Sequence, residues 1–503
     1  MEAHSSTRSI FQNISPLDHR YSLSEDSLFD ALVPWISEEA SVRACVKAEI
    51  ALIAAHLAVR GKLTTALRDE LEKAGEKVLP AEVYEEEEKT RHNTRALVNI
   101  LQKKLAEIAP ASIPAGVALA PLVHLGATSV DILDTSLSWR IRGVTRNVVL
   151  PELRKLEKLL CAFTEREAET PQVGRTHGQH AVPITVGFAM AEYVSRLGKS
   201  IIEVERLEKN LKGKLAGAVG AYNATAMIVR DPEELERLYL AELGLEPSEH
   251  STQLVEPEYL LRLLLEFNTA FGIIANLADD LRHLQRSEIG ELKEGFAAEQ
   301  VGSSTMPQKR NPWNSEHVKS LWKAFMPRVI TFYMDQISEH QRDLSNSASQ
   351  RFIADYIAGF TMAVSRMSQV IEGLGVDRER LLANLSSGIL AEPAYILLAE
   401  SGVSDAHEVI RKITLRAEKE KLTFAEALAN EPEMLSRIAG KMAELGLING
   451  GADTSGAETG ENTGEEIKKA ALDWFEKPEQ YRGLAAEKAR SIAEKYNRGE
   501  LYV

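Results

Sequence analysis

Ser303 and Ser304 lie in the segment Gly302-Ser303-Ser304-Thr305-Met306-Pro307-Gln308-Lys309-Arg310-Asn311-Pro312, which starts at a glycine and ends in a basic run closed by proline. Such a segment can close over an anion and deliver a reactive side chain; by itself it could also be the loop before a helix. Its weight comes from other polar clusters. Gly174-Arg175-Thr176-His177-Gly178-Gln179-His180 sets two histidines and an arginine in a break between helical stripes. A histidine there titrates near neutrality and can act as general acid or base. The spacing of His177 and His180 also permits a metal, but no third ligand is obvious nearby and the chain has no HExxH. Turn histidines that satisfy backbone groups are the plainer alternative.

Three further clusters suit anions. Thr90-Arg91-His92-Asn93 puts an arginine beside a histidine, either to hold an anion or simply on a helix surface. In Gly126-Ala127-Thr128-Ser129-Val130-Asp131-Ile132, Thr128 and Ser129 can cap the next helix and offer hydroxyls and N–H groups to a carboxylate, although capping alone would explain them. Gln341-Arg342-Asp343-Leu344-Ser345-Asn346-Ser347, followed by Arg351, reads as a phosphate clamp or as a polar helix junction. Glu316, one turn past the opening loop, either orients a histidine or is a first-turn glutamate favoured by the helix dipole.

The rest of the chain bounds these readings. It has 503 residues, 44% hydrophobic and 26% charged, with 59 basic and 74 acidic residues and a formal charge of −15. That charge argues against nonspecific nucleic-acid binding and against an anionic membrane surface, while a local arginine cluster can still attract an anionic small molecule. Two cysteines, Cys45 and Cys161, build neither a disulfide framework nor a cysteine-rich metal site and fit a reducing compartment. No apolar run is expected to span a bilayer, and Met1 to Ser9 reads as a short polar lead, so a cytoplasmic protein is expected. P-loop, dinucleotide-glycine and GxSxG motifs are absent. Proton transfer on an anionic substrate, without a cofactor, is the chemistry that remains.

The elements that must position these groups are helices. Apolar residues recur at steps of three and four from Leu260 to Leu284, from Met190 to Leu215, from Val318 to Phe332 with a kink expected at Pro327, and from Ile353 to Ile371. A fifth run, Ile132 to Phe163, is interrupted by Pro151. Alternating patterns are nearly absent; Val173 to Phe188 can hold a small hairpin. Such helices make an elongated bundle whose stripes find partners within the chain or in other subunits. Boundaries are expected near Pro110–Pro121 and Gly373–Asp377, and Asn449 to Gly464 reads as an exposed insertion.

The loop Gly302–Pro312 resembles the signature of the fumarase/aspartase superfamily, whose members eliminate fumarate or an analogue. The clusters at 126–131, 174–180 and 341–347, with Arg20-Tyr21 and Gly217-Ala218-Val219-Gly220, are similar to the adenylosuccinate lyase family from about Ser15 to Arg351. The resemblance implies an all-α fold of three helical domains, 1–120, 121–375 and 376–503. It also implies a central long-helix bundle that assembles into a tetrameric core, with active sites shared by three chains. The implied activity is β-elimination of fumarate from adenylosuccinate and from the succinyl-carboxamide imidazole ribotide, with no cofactor and no metal.

Carried over residue by residue, the resemblance makes Ser304 the general base and His177 the general acid, oriented by Glu316. Lys309, Ser303, Met306 and Asn311 surround the carbanion. Thr128, Ser129 and Gln253 hold the succinyl part, and Arg91, His92 and Thr176 complete substrate binding. Arg20, Tyr21, Arg342, Ser347 and Arg351 take the nucleotide. One departure stands out: the family usually has Asp where this chain has Asn93, which implies a weaker acid–base role for His92. Another lyase of the superfamily, such as argininosuccinate lyase, and a non-catalytic relative of the fold are the alternatives.

Overall fold

The computed structural model describes residues 9–296, 299, 302–343, 345–449 and 462–498, without the side chains of 387, 462 and 463. The polar lead before Ser9 and most of the expected 449–464 insertion lie outside the described residues.

The architecture is helical throughout, as the stripes require. Helices α1 (Glu38–Val59), α2 (Pro80–Thr90) and α3 (Asn93–Leu105) form the N-terminal part. Then come α4 (Ser129–Val144), α5 (Leu150–Arg166), the strands β1 (Pro171–Thr176) and β2 (Gln179–Thr185), and α6 (Val186–Lys209). The long α7 (Glu258–Leu284), α8 (Trp313–Phe325) and α9 (Ile353–Glu372) complete the bundle. After six α-helices among the described residues between 378 and 475, the helix α10 (Ala485–Asn497) returns to pack on α5 and α6.

Three hydrophobic cores follow. The central one joins α5, α6, α7 and α9, with Ala493 and Tyr496 of α10 reaching into it. The N-terminal core is built on α1 and α3 and also takes Leu235, Tyr239 and Leu240 from the helix Pro232–Glu242. The third runs from Leu390 to Phe475.

The interruptions have local causes. Pro151 lacks an N–H, and its ring would crowd the carbonyl of Asn147. The chain answers with a wide π turn, Thr145–Val149, between α4 and α5 instead of a break. Thr145 Oγ1 donates to the Ile141 carbonyl at 2.6 Å and Asn147 Nδ2 to that of Gly143 at 2.8 Å, adding side-chain bonds to the backbone around the turn. At Met326-Pro327, α8 ends and a second helix, Arg328–Met334, begins, as the kink expected there required. The stretch expected to hold a hairpin does so: β1 and β2 pair antiparallel, and Phe188 already belongs to α6.

One expectation needs correcting. Helix α7 is, by length and composition, long enough and apolar enough to cross a membrane. Its stripe from Leu264 to Leu281 is buried against the neighbouring helices, so its hydropathy reflects a bundle core.

That core also holds a carboxyl without a partner among the described residues. Glu157 of α5 is buried, and neither of its carboxylate oxygens has a hydrogen bond there. Burial raises its pKa from 4.5 to about 9. A carboxyl whose folded pKa is raised contributes stability that is full below its unfolded value and lost as pH rises, here between 4.5 and about 9. The wild type should therefore melt at lower temperature at pH 9 than at pH 6. Glu157→Gln, which does not titrate, should narrow that gap by about 5 °C. Parallel melting curves for the two proteins at both pH values would contradict this.

Candidate active site

A cavity of about 850 Å³ opens between the start of α1, α2, the start of α3, one face of α4 and the segment from Arg342 to Ala354. It brings together His92, Thr128, Ser129, Gln253, Arg342, Ser347 and Arg351, from four separate stretches of sequence. Thr128 caps α4: its N–H donates to Asp131 Oδ2 at 2.7 Å. Gln253 bridges two of the clusters, donating from Nε2 to Thr128 Oγ1 and accepting from Arg342 Nη1, both at 3.3 Å. The hydroxyls suited to a carboxylate and the arginine suited to a phosphate are thereby linked through one amide.

The scaffold behind this chain is buried. Asp131 and Lys214, each with no exposure, form an ion pair. The same carboxylate accepts the N–H groups of Ala216 at 3.2 Å and Gly217 at 3.2 Å. Gly217-Ala218-Val219-Gly220 therefore has a structural role here. Gly220 has φ +78°, and a Cβ there would lie 1.8 Å from the Ser251 carbonyl oxygen. Only glycine lets this turn approach the backbone that carries Gln253. Asp134, one turn along α4, accepts the Val255 N–H at 3.1 Å and holds the other side of that segment. Burial raises the Asp134 pKa to about 6.

His92 caps α3, its Nδ1 accepting the Arg95 N–H at 3.3 Å. As an acceptor at Nδ1, the ring carries its proton on Nε2. Asn93 turns its carbonyl oxygen to the Thr94 N–H at 2.7 Å. Arg91, the left-handed residue that ends α2, is exposed and does not line the cavity.

The loop Gly302–Pro312 stands apart from this cavity in the single chain. Its ends are pinched together: Asn311 Nδ2 donates to the Gly302 carbonyl at 3.3 Å, and a Cβ on Gly302 would lie 2.3 Å from the Lys309 carbonyl oxygen. Inside the turn, Ser303 Oγ accepts the N–H groups of Thr305 and Met306 at 3.4 and 3.1 Å. Ser304, Met306 and Lys309 are exposed. Glu294 anchors the far side, taking the N–H groups of Asn314 and Ser315 at 3.2 and 2.8 Å, so it caps α8 from outside the helix. Glu316 lies exposed in the first turn of α8.

His177 sits at the tip of the hairpin. Thr176 pairs with Gln179, leaving His177 and Gly178 as a two-residue turn with φ +53° and +73°. Positive φ at both positions is the geometry whose twist suits a tight hairpin, and it costs a histidine about 1 kcal/mol. Thr176, His177 and His180 are exposed. Arg175 instead turns inward and donates from Nη1 to the fully buried Glu291 at 3.0 Å, tying the hairpin to its base. Among the described residues, no hydrogen bond joins Ser304, His177 and Glu316 to one another, and none of the three lines the cavity.

Some cavity residues were not singled out in the sequence. Arg140 belongs to the face of α4 that carries Ser129, Leu133 and Ser136, at helical spacing from the residues already noted, and that periodicity could have found it. Its Nε donates to the Trp35 carbonyl at 2.7 Å. Tyr84 donates to Glu38 Oε1 at 2.5 Å, and burial followed by that bond raises its pKa to about 12. Glu87 of α2 also lines the cavity. Three arginines and three carboxylates (Glu38, Glu87 and Asp343) thus share one space.

The fold is that of a class of helical enzymes. Two solved structures share it: 3-carboxy-cis,cis-muconate lactonizing enzyme from Pseudomonas putida, with a TM-score of 0.76, and fumarate lyase from Mesorhizobium sp. BNC1, with 0.74. They are 23% and 20% identical to this chain and cover 95% and 93% of it, and 99% and 97% of their own lengths. A lyase family matches residues 15–324, and the adenylosuccinate lyase C-terminal family matches residues 338–446. Adenylosuccinate lyases of Pyrococcus abyssi and Pyrococcus horikoshii are each 32% identical, over 84% of this chain and 92% and 91% of theirs. The chain belongs to the adenylosuccinate lyase family. The likeness also runs past Arg351, where the motifs alone ended it, because the C-terminal helices carry few polar signatures to recognise.

Proposed function

We propose that this chain cleaves adenylosuccinate to AMP and fumarate, and the succinyl-carboxamide imidazole ribotide to its carboxamide and fumarate. The observation that carries this reading is the link Thr128–Gln253–Arg342 within one cavity that also holds Ser347 and Arg351. Carboxylate-binding hydroxyls and phosphate-binding arginines suit the two ends of a succinylated nucleotide. In the reaction, the succinyl carbon beside its carboxylate loses a proton to Ser304, the C–N bond breaks and the double bond of fumarate forms. His177, oriented by Glu316, returns a proton to the leaving nitrogen. Lys309 and the donors at Ser303, Met306 and Asn311 stabilise the carbanion as an aci-carboxylate once the loop has closed and water has left. Arg20 and Tyr21 add to the nucleotide site, and Arg91, His92 and Thr176 to substrate binding.

The same proposal includes a cytoplasmic homotetramer in which three chains complete each site. Two features support assembly. Ser304, His177 and Glu316 are exposed and share no hydrogen bond with one another among the described residues, and the helix Arg328–Met334 and the turn after it leave Ile330, Met334 and Ile337 largely exposed. Cys45 and Cys161 are free and buried, which fits a reducing compartment. Domain boundaries at 120/121 and 375/376 belong to the same reading. Loss of adenylosuccinate absorbance on adding the purified protein tests the activity, with light scattering for the assembly. Turnover of argininosuccinate with none of adenylosuccinate would overturn it.

A further inference from the structure

Tyr21, on the short helix Arg20–Ser24, is seated on a residue far away in sequence. Its Oη lies 3.1 Å from His317 Nε2, and the two rings stack with centroids 5.5 Å apart and planes 29° apart. His317 stands in the first turns of α8, next to Glu316 and five residues past the end of the loop. Its other ring nitrogen, Nδ1, is buried and has no hydrogen-bond partner among the described residues. Burial first, then the Arg366 and Arg20 guanidiniums, lowers its pKa from the ordinary histidine value. The ring is therefore neutral at physiological pH and carries one N–H.

Where that proton sits decides what Tyr21 can do. On Nδ1 it would be a buried donor with nothing to bond, the costlier kind of orphan. On Nε2 it is donated to Tyr21 Oη. A phenol oxygen that accepts one hydrogen bond still has its own proton to give.

We infer that His317 is a positioning residue. It donates from Nε2 to Tyr21 Oη, braces the ring by stacking, and leaves the Tyr21 hydroxyl proton for an anionic oxygen of the nucleotide. The inference rests on the reading that Tyr21 holds the nucleotide. It also ties two parts of the site together, because α8 carries His317 while its N-terminus, clamped by Glu294, is where the loop ends.

The test is a double-mutant cycle in the full chain. His317→Phe keeps a ring and removes the donor. It should raise KM for adenylosuccinate and the calorimetric Kd for AMP by about 10-fold, with kcat within about twofold of wild type. His317→Gln, whose amide can donate, should recover most of the AMP affinity. In a Tyr21→Phe background, His317→Phe should cost nothing more. Full additivity of the two losses, or no rescue by glutamine, overturns the inference. If His317→Phe does not fold, the cycle of His317→Ala, which also removes the donor, with Tyr21→Phe decides by the same criterion of coupling. The cycle read on AMP binding is independent of turnover. Coupling without adenylosuccinate cleavage would sink the proposed activity alone, whereas cleavage with additive losses would sink this inference alone.

Discussion

Ser304→Ala is expected to lower kcat about 10²–10⁴-fold, the usual cost of losing a general base, and to leave AMP binding unchanged. The loop geometry explains why the loss should fall on chemistry. Ser304 is exposed and makes no hydrogen bond among the described residues, so removing its hydroxyl takes little from the fold. Its neighbour is the contrast. Ser303 Oγ accepts the N–H groups of Thr305 and Met306, so it shapes the turn. Ser303→Ala removes two bonds of about 1 kcal/mol each at most, part of which water restores, and should cost about 10-fold or less. Steady-state kinetics on both variants, with AMP calorimetry, checks the pair. A Ser304→Ala enzyme within about tenfold of wild-type kcat would exclude it as the base.

The second large effect falls on stability. Asp131→Leu should destabilise the protein by about 3–5 kcal/mol, because it strands the Lys214 ammonium in a site with no exposure. Among the described residues, the other partner of that ammonium is the Gly217 carbonyl, at 3.3 Å. Lys214→Met should cost less, since the Asp131 carboxylate would keep the N–H groups of Thr128, Ala216 and Gly217. The double variant should recover part of the loss of Asp131→Leu, as buried pairs replaced by apolar groups often do. It should still bind substrate poorly, because Thr128 and the Lys214–Gly220 turn would no longer be held to each other. Urea unfolding of the three variants measures the order, and equal losses for the two single variants would contradict it.

Much of the site was legible because its signals are local. The loop Gly302–Pro312, the capping pair Thr128 and Ser129, and the basic stretch from Arg342 to Arg351 declare their chemistry within a few residues. The helices declared themselves through a period that depends only on neighbours three and four positions apart. Arg140 was within reach of the same logic, one face along α4, and was passed over because its cluster was read only up to Ile132. Tyr84 and Glu294 were not within reach: each acts through a partner from another element, and no short-range pattern marks it.

The sequence by itself determined the helical class and the residue types of the candidate site, since these follow from local spacing and composition, while the family was reached through the resemblance of its motifs. Tertiary structure alone decided the pairings. Gln253 joins Thr128 to Arg342, Lys214 meets Asp131, and Tyr21 rests on His317. It also decided that Arg175 faces Glu291 while its neighbour His177 stands exposed on the hairpin tip. These contacts link residues tens to hundreds of positions apart, and which side chains meet depends on how whole helices pack. Period and propensity tell each helix which face to bury and carry no record of the neighbour that will cover it.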